Sequence, residues 1–317
     1  LQQAGLLPPD FTYQADIGDD AVVRVINDQV AVVENVDVFT PIHDDPHIQG
    51  KIVACNATND VFAMGATEIL SLQALLAYPT DLPEEIVVGV LQGMNDFMKA
   101  LGSSLSGGQT IKNPIPVFGG IALGLTHPDK VVYSQGAEVG DIVVLTKPLG
   151  IQPAMRSYRD LRDRKRDTLL ERFDEKTLQR IQEDAVRVMT KSNQEVAKAM
   201  GEVGVSAATD ITGFGLLGHA DNVAALSCVS IVFDTIPVIK GTLELAEFFG
   251  HRLKEGSAAE TAGGMLVFLH PDKVDDFLGL LKKNGHTCWT IGRAVKPSDV
   301  PKAQLAEGVE YIETEFP

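Results

Sequence analysis

Through the first half of the chain, apolar residues alternate with polar ones or run together, and turn residues cut them into strand lengths. AVVRVI (21–26) and QVAVVENVDVF (29–39) predict two strands joined at a tight Asn27-Asp28 turn. After the loop from Pro41 to Pro46, HIQGKIVACNATNDVFAMG has helical spacing and ends at Gly65. EILSLQALLAY (68–78) predicts a strand, EEIVVGVLQGMNDFMKALG (84–102) a helix, and PVFGGIALGLTH (116–127) another strand. IVVLTKPLG (142–150) opens a new strand after the polar turn GAEVGD, which divides the chain into residues 1–137 and 138–317. In the second part QEVAKAMGEVG (194–204) and KVDDFLGLLKKNG predict helices, and MLVFLH and TCWTIGRAV predict strands. The chain length and this boundary predict two domains, each mixing strands and helices.

Composition adds exclusions. The 317 residues are 44% hydrophobic and 22% charged, as in soluble globular proteins large enough for two cores. A net charge of −16 argues against nucleic acid or an anionic membrane as partner. No apolar run reaches the ~20 residues of a membrane helix. Cys55, Cys228 and Cys288 are far apart with no C-x-x-C, which predicts neither a disulfide framework nor a zinc site and suits a reducing, cytoplasmic setting. Residues 156–187 hold 18 charged side chains, 10 of them basic, and predict a long solvated helical pair.

The carboxylates gather at strand ends and turns. Asp16, Asp19 and Asp20 lie in ADIGDDAVV, Asp37 in ENVDVFTP, Asp44 and Asp45 in HDDP, and Asp210 in ATDITG. Asn56 and Asp60, four apart on the predicted helix, share a face. Aspartates converging without Cys or His partners favour a hard cation such as Mg²⁺. Mg²⁺ ordinarily joins one or two carboxylates to phosphate oxygens, so the predicted ligand is a metal–phosphate complex. Gly107, Gly108, Gln109 and Thr110 form a glycine element between a helix and a strand, suited to an anion nest. No P-loop motif occurs.

One motif points elsewhere. In TDITGFGLLGH, Gly213, Gly215 and Gly218 match G-x-G-x-x-G, and Asp234 follows at the spacing of a dinucleotide fingerprint. The preceding VGVSAATDIT is short and polar at its end, unlike a buried parallel strand. Asp210 would also set a carboxylate against the pyrophosphate unless a metal lay between them. Phosphoryl chemistry fits that arrangement better than hydride chemistry.

GDDAVV, NVDVFTPIHDDP, KIVACNATNDVFAMG, SGGQT, VLTKPLG, ATDITGFGLLGH and ETAGG occur in the order and rough spacing of the selenophosphate synthetases (selenide, water dikinases). The chain resembles that family throughout its length, and its SGGQT form is most similar to the eukaryotic branch. The wider superfamily includes the aminoimidazole ribonucleotide synthetases, a hydrogenase maturation protein and thiamine-phosphate kinase. The resemblance implies ATP-dependent synthesis of selenophosphate from selenide and water, releasing AMP and phosphate, with Mg²⁺ and usually K⁺. It implies an N-terminal mixed sheet that pairs into a barrel across a homodimer, followed by a C-terminal α+β sandwich. It makes Asp20, Asp60 and Asp210 the metal ligands and Asp37 a nucleotide contact. It also gives Gly18, Asp19, Asp20 and Asp60 to the nucleotide side and Gly107, Gly108, Gln109 and Thr110 to the phosphates. The family's Cys or selenocysteine and Lys are expected upstream of Leu1, so no catalytic residue is assigned and turnover by this sequence is expected to be impaired. Cys55 reads as a small core residue, and Ala262 stands in ETAGG where the family usually has Ser. Two alternatives stay open. One is another phosphoryl-transfer enzyme of the superfamily; the other is a non-catalytic nucleotide-binding paralogue that docks a protein through RSYRDLRDRKRD.

Overall fold

The computed structural model describes residues 19–163 and 165–316. Its first part comprises β1 (Val22–Asn27), β2 (Val30–Phe39), α1 (Pro46–Ala63), β3 (Glu68–Tyr78), α2 (Glu84–Ala100), β4 (Leu105–Lys112) and β5 (Val117–Thr126). The strands form one mixed sheet in the order β1-β2-β5-β3-β4, with only β3 and β4 parallel. At the β1–β2 turn, Asn27 Oδ1 accepts from the backbone N–H groups of Gln29 and Val30 at 2.9 and 3.0 Å. That Asx geometry explains why the alternation breaks there.

The helix α1 organises this part. Asp45 caps it by accepting from Ile48 N at 3.0 Å, and Pro46 occupies its first turn. Both devices are legible in HDDPH. Nearly every side chain from Gln49 to Ala63 is buried, because the helix packs against β2 and β5, α2 and the second domain. The α1–α2 approach depends on glycine: a Cβ on Gly93 would lie 1.9 Å from His47 O, and one on Gly50 2.0 Å from Val90 O.

The second part runs β6 (Ile142–Leu145), α3 (Ile151–Asp160), α4 (Arg166–Leu170), α5 (Glu175–Thr190), α6 (Gln194–Val203), β7 (Ala207–Asp210) and α7 (Gly215–Ser227). It continues with β8 (Ser230–Ile239), α8 (Thr242–Phe249), β9 (Met265–Leu269), α9 (Val274–Lys283), β10 (Trp289–Val295) and β11 (Ala303–Thr314). These strands form a six-stranded sheet in the order β11-β8-β10-β6-β9-β7. Side chains along it alternate between two cores, as a period of two requires. Val144, Met265, Val267 and Leu269 join the core that includes α1, whereas Val143, Leu145, Leu266 and Phe268 join the core under α7. One core therefore runs from the first domain onto one face of the second sheet, with α1 at the junction.

Residues 156–187 differ from the expected solvated pair. They form the second half of α3, all of α4 and most of α5, and Tyr158, Leu161, Leu169, Leu178, Ile181 and Ala185 are buried. Leu178, Ile181, Ala185 and Val188 recur at helical spacing beneath the charges, and α5 packs on α1. The basic residues also have internal partners. Arg162 lies over the Tyr158 ring at 3.7 Å and pairs with Asp44 at 3.0 Å, and Tyr158 Oη accepts from Asp44 N at 3.1 Å. His43 stacks on the same ring. Part of the proposed docking stretch thus clamps the HDDP loop that begins α1.

Candidate metal and nucleotide site

The four residues of β7 are Ala-Ala-Thr-Asp, all buried, and the last is Asp210. Among the described residues, neither oxygen of its carboxylate has a hydrogen-bond partner. Asp20 stands in the turn before β1. Its Oδ1 accepts from Thr209 Oγ1 at 2.9 Å, and its buried Oδ2 is likewise unpartnered. One oxygen from each carboxylate and one ring nitrogen of His219, on α7, lie within 4.8 Å of one another.

Asp60 joins them from α1. Asn35 Nδ2 donates to its Oδ2, an alignment made possible because Asn35 and Asp37 share one face of β2. Burial pushes the Asp60 carboxyl well above its usual range, and the charges of Asp210, Asp20 and Asp37 push it further. Asp20 is raised in the same way, by burial and then by Asp210 and Asp19. Burial lifts Asp210 to about 6, against the pull of the Asn59 amide beside it. Asp37 accepts from Asn56 Nδ2, and burial raises it as well.

Such a set is costly to ionise without a counter-charge. The three unpartnered oxygens on Asp20 and Asp210 are what a cation would satisfy. An aspartate donor set suits Mg²⁺, and ligation from few side chains leaves positions for water or phosphate oxygens. The residues present therefore fit such an ion. His219 is a neutral imidazole: burial pushes its pKa down to about 4, and Nε2 accepts from Thr212 N at 3.1 Å.

Other expected residues are placed differently. Gly18 and Asp16 lie outside the described residues. Asp19 Oδ1 accepts from Ser134 N, Ser134 Oγ and Asp20 N at 3.0, 2.7 and 3.0 Å, so it anchors the turn that presents Asp20. Asp44 and Asp45 serve the α1 entry. Gly107, Gly108, Gln109 and Thr110 form no loop; they lie in β4, an exposed edge strand in which both glycines have positive φ. Gly108 is in register with Ala74, Gly120 and Asp37 across four strands. At ~4.8 Å per strand that separates Gly108 from Asp37 by about 14 Å.

Gly213 and Gly215 make the strand-to-helix turn, and Gly218 lies within α7. Gly215 has φ +69, and a Cβ there would stand 2.6 Å from Ala258 O. Asp234 lies exposed in the middle of β8 rather than at a strand end. Cys55 is fully buried and its thiol is pushed up by burial, as a core residue. The ETAGG segment closes the site from the other side. Glu260 accepts from Gly150 N and Ile151 N at 2.8 and 2.9 Å, and Ala262 N donates to Asn56 Oδ1 at 2.7 Å. Gly263 O accepts from Asn59 and Asn193 at 3.2 and 2.9 Å.

Sequence reasoning passed over Asn35, Asn59, Thr209 and His219. Asn59 and Thr209 each adjoin an aspartate of the cluster, and His219 closes the motif that Asp210 opens.

Residues 18–126 match the family model of the AIR synthase related protein N-terminal domain, and residues 138–301 match that of its C-terminal domain. A selenide, water dikinase of Methanococcus maripaludis is 40% identical over 98% of this chain and 93% of its own length. The selenide, water dikinase of Methanocaldococcus jannaschii is 39% identical over 94% of this chain and 86% of its own. Among solved structures, the thiamine-monophosphate kinase of Stenotrophomonas maltophilia K279a has TM-score 0.70 at 20% identity, covering 97% of this chain and 95% of its own. Hydrogenase maturation protein HypE in complex with ATP has TM-score 0.69 at 17% identity, covering 90% and 86%. These two structural likenesses show a common two-domain α+β fold. The sequence likenesses go further: the chain belongs to the selenide, water dikinase family of the AIR synthase-related superfamily.

Proposed function

We propose that this protein uses ATP to convert selenide into selenophosphate, releasing AMP and phosphate, and that it does so as a homodimer. The observation that carries the reading is the pairing of half-buried Asp20 with buried Asp210, with three buried, unpartnered carboxylate oxygens beside Asp60. It occurs in a chain 40% identical to a selenide, water dikinase. Asp20, Asp60 and Asp210 would hold Mg²⁺, which when bound neutralises the triphosphate and the charge developing on its oxygens.

The remaining work belongs to the chain's own residues. Thr209 and Asn35 each engage one oxygen of a cluster carboxylate, orienting Asp20 and Asp60. Asn56 orients Asp37, which we assign to the nucleotide. Gly107 to Thr110 offer an exposed backbone edge to the phosphates, about 14 Å from Asp37 by strand spacing. Gln109 lies across the sheet from Leu75, in register with Val38, on the face opposite Asp37. On that face Val36, Val38 and Ile111 are 60%, 46% and 57% exposed, although the other face is covered by helix. A second copy packing sheet to sheet would bury this apolar surface.

The test is selenide-dependent AMP formation by the full-length natural protein, with the selenium product followed by ³¹P spectroscopy. AMP and selenophosphate in equal amounts are expected, and both should vanish with Asp210→Asn. ATP turnover indifferent to selenide would overturn the proposal.

A further inference from the structure

Lys147 follows β6, is 1% exposed, and lies near enough to Asp210 for its charge to pull that carboxyl down, although it makes no hydrogen bond to it. Among the described residues it forms no ion pair. Its Nζ donates instead to two carbonyls, Lys191 O at 2.6 Å and Ala262 O at 2.9 Å. Burying an ammonium ion against neutral acceptors is costly, and an apolar side chain of similar length would fill the space without that cost. The placement of its two acceptors suggests what the charge does.

Ala262 is buried and has φ +49, a left-handed conformation that strains any residue with a Cβ. Its carbonyl is held by Lys147, and its N–H reaches Asn56 Oδ1 at 2.7 Å. Because that N–H can only donate, it selects the oxygen side of the Asn56 amide and turns Nδ2 toward Asp37. The next residues are tightly held as well. A Cβ on Gly264 would lie 2.5 Å from Lys147 N, and one on Gly263 would lie 2.1 Å from the carbonyl of Ile211, which follows Asp210. Lys191, the other acceptor, lies at the end of α5, the helix that packs on α1.

We propose that Lys147 is a positioning residue of the nucleotide site: its ammonium holds the carbonyl of the strained residue Ala262, and through the backbone of that residue its N–H is kept on the Asn56 amide, which is thereby fixed against Asp37. The charge gives the hydrogen bond enough strength to keep a non-glycine residue left-handed. The functional meaning rests on the assignment of Asp37 to the nucleotide; the mechanical link does not.

The experiment compares Lys147→Met, Ala262→Gly and the double variant in the full chain. Mg²⁺·ATP affinity is read by calorimetry, Tm by scanning, and the Asn56 side-chain amide by NMR with ¹⁵N-asparagine labelling. Lys147→Met should weaken Mg²⁺·ATP by about tenfold, the scale of one charged hydrogen bond, and should shift the Asn56 amide signals. Glycine takes φ +49 without strain, so adding Ala262→Gly should return affinity to within about threefold of wild type and move the signals back. If Lys147→Met does not fold, Lys147→Gln, which keeps one donor, takes its place in both comparisons. A lysine serving stability alone would lower Tm and leave the Asn56 signals in place, which overturns the proposal. Failure of the glycine to restore the signals also overturns it. If the wild type itself does not bind Mg²⁺·ATP, the nucleotide reading falls, and the Asn56 signals still decide the link from Lys147.

Discussion

Asp210→Asn should stabilise the metal-free protein while abolishing its response to Mg²⁺. Burial raises the Asp210 carboxyl from 3.8 to about 6. At 1.36 kcal/mol per unit, a shift of roughly two units means about 3 kcal/mol of instability from this group. A carboxyl whose folded pKa is raised favours folding only when protonated. The penalty therefore develops as pH rises from about 4 to about 6 and is complete above that. Asparagine removes it but leaves a buried amide short of partners, which costs about 1 kcal/mol in return. The net gain is about 2 kcal/mol, or ~4–8 °C in Tm for a domain of this size. Differential scanning in EDTA at pH 7.5 reads the gain directly, and at pH 4 it should largely disappear. With Mg²⁺ added, the wild type should gain Tm by ligand linkage, whereas the variant should not. A variant less stable than wild type in EDTA, or one that still responds to Mg²⁺, would refute the reasoning.

Other outcomes follow from the same geometry. Since Asp20, Asp60 and Asp210 are all raised by burial, Mg²⁺ binding should release protons, and affinity should climb with pH from 5 to 8, measured by calorimetry in buffers of different ionisation enthalpy. A flat profile would place the ion elsewhere. Asn56→Ala, which frees Asp37, should weaken ATP by about tenfold and leave Mg²⁺ binding without nucleotide within twofold. Val38→Asp, on the exposed face of the first sheet, should convert a dimer to a monomer in light scattering, with Tm within a few degrees of wild type; a monomeric wild type would remove the homodimer from the account.

The first domain was largely legible because its elements carry local signals. The Asn27 turn, the Asp45-Pro46 entry to α1 and the Gly65 and Gly102 ends all act within a few residues. The exception is β4, where Gly107 and Gly108 resemble a loop. Strand conformation there comes from pairing with β3, a contact made at a distance in sequence. Likewise β11 reads AQLAEGVEYIET with many exposed polar positions, and its partner β8 defines it. The charged stretch misled for a related reason: its charges are real, but Leu178, Ile181, Ala185 and Val188 set which face turns inward.

For the site, aspartates at strand ends and turns, with Asp60 on the predicted helix, gave a wider set that included Asp16, Asp44 and Asp45, and it was the family resemblance that narrowed it to Asp20, Asp37, Asp60 and Asp210. What sequence could not supply was the set of neutral groups that orient them. Asn35, Thr209 and Ala262 reach their partners only after β2, β7 and the ETAGG segment converge on α1. Their chemistry, amide or hydroxyl or peptide, is too common to stand out along the chain.

The most direct test of the central claim is a crystal of the protein with Mn²⁺ and a non-hydrolysable ATP analogue, examined by anomalous scattering. The account predicts a Mn²⁺ peak ligated by Asp20 and Asp210, with Asp60 in contact and phosphate oxygens completing the shell. A nucleotide bound with its metal away from these aspartates would contradict it.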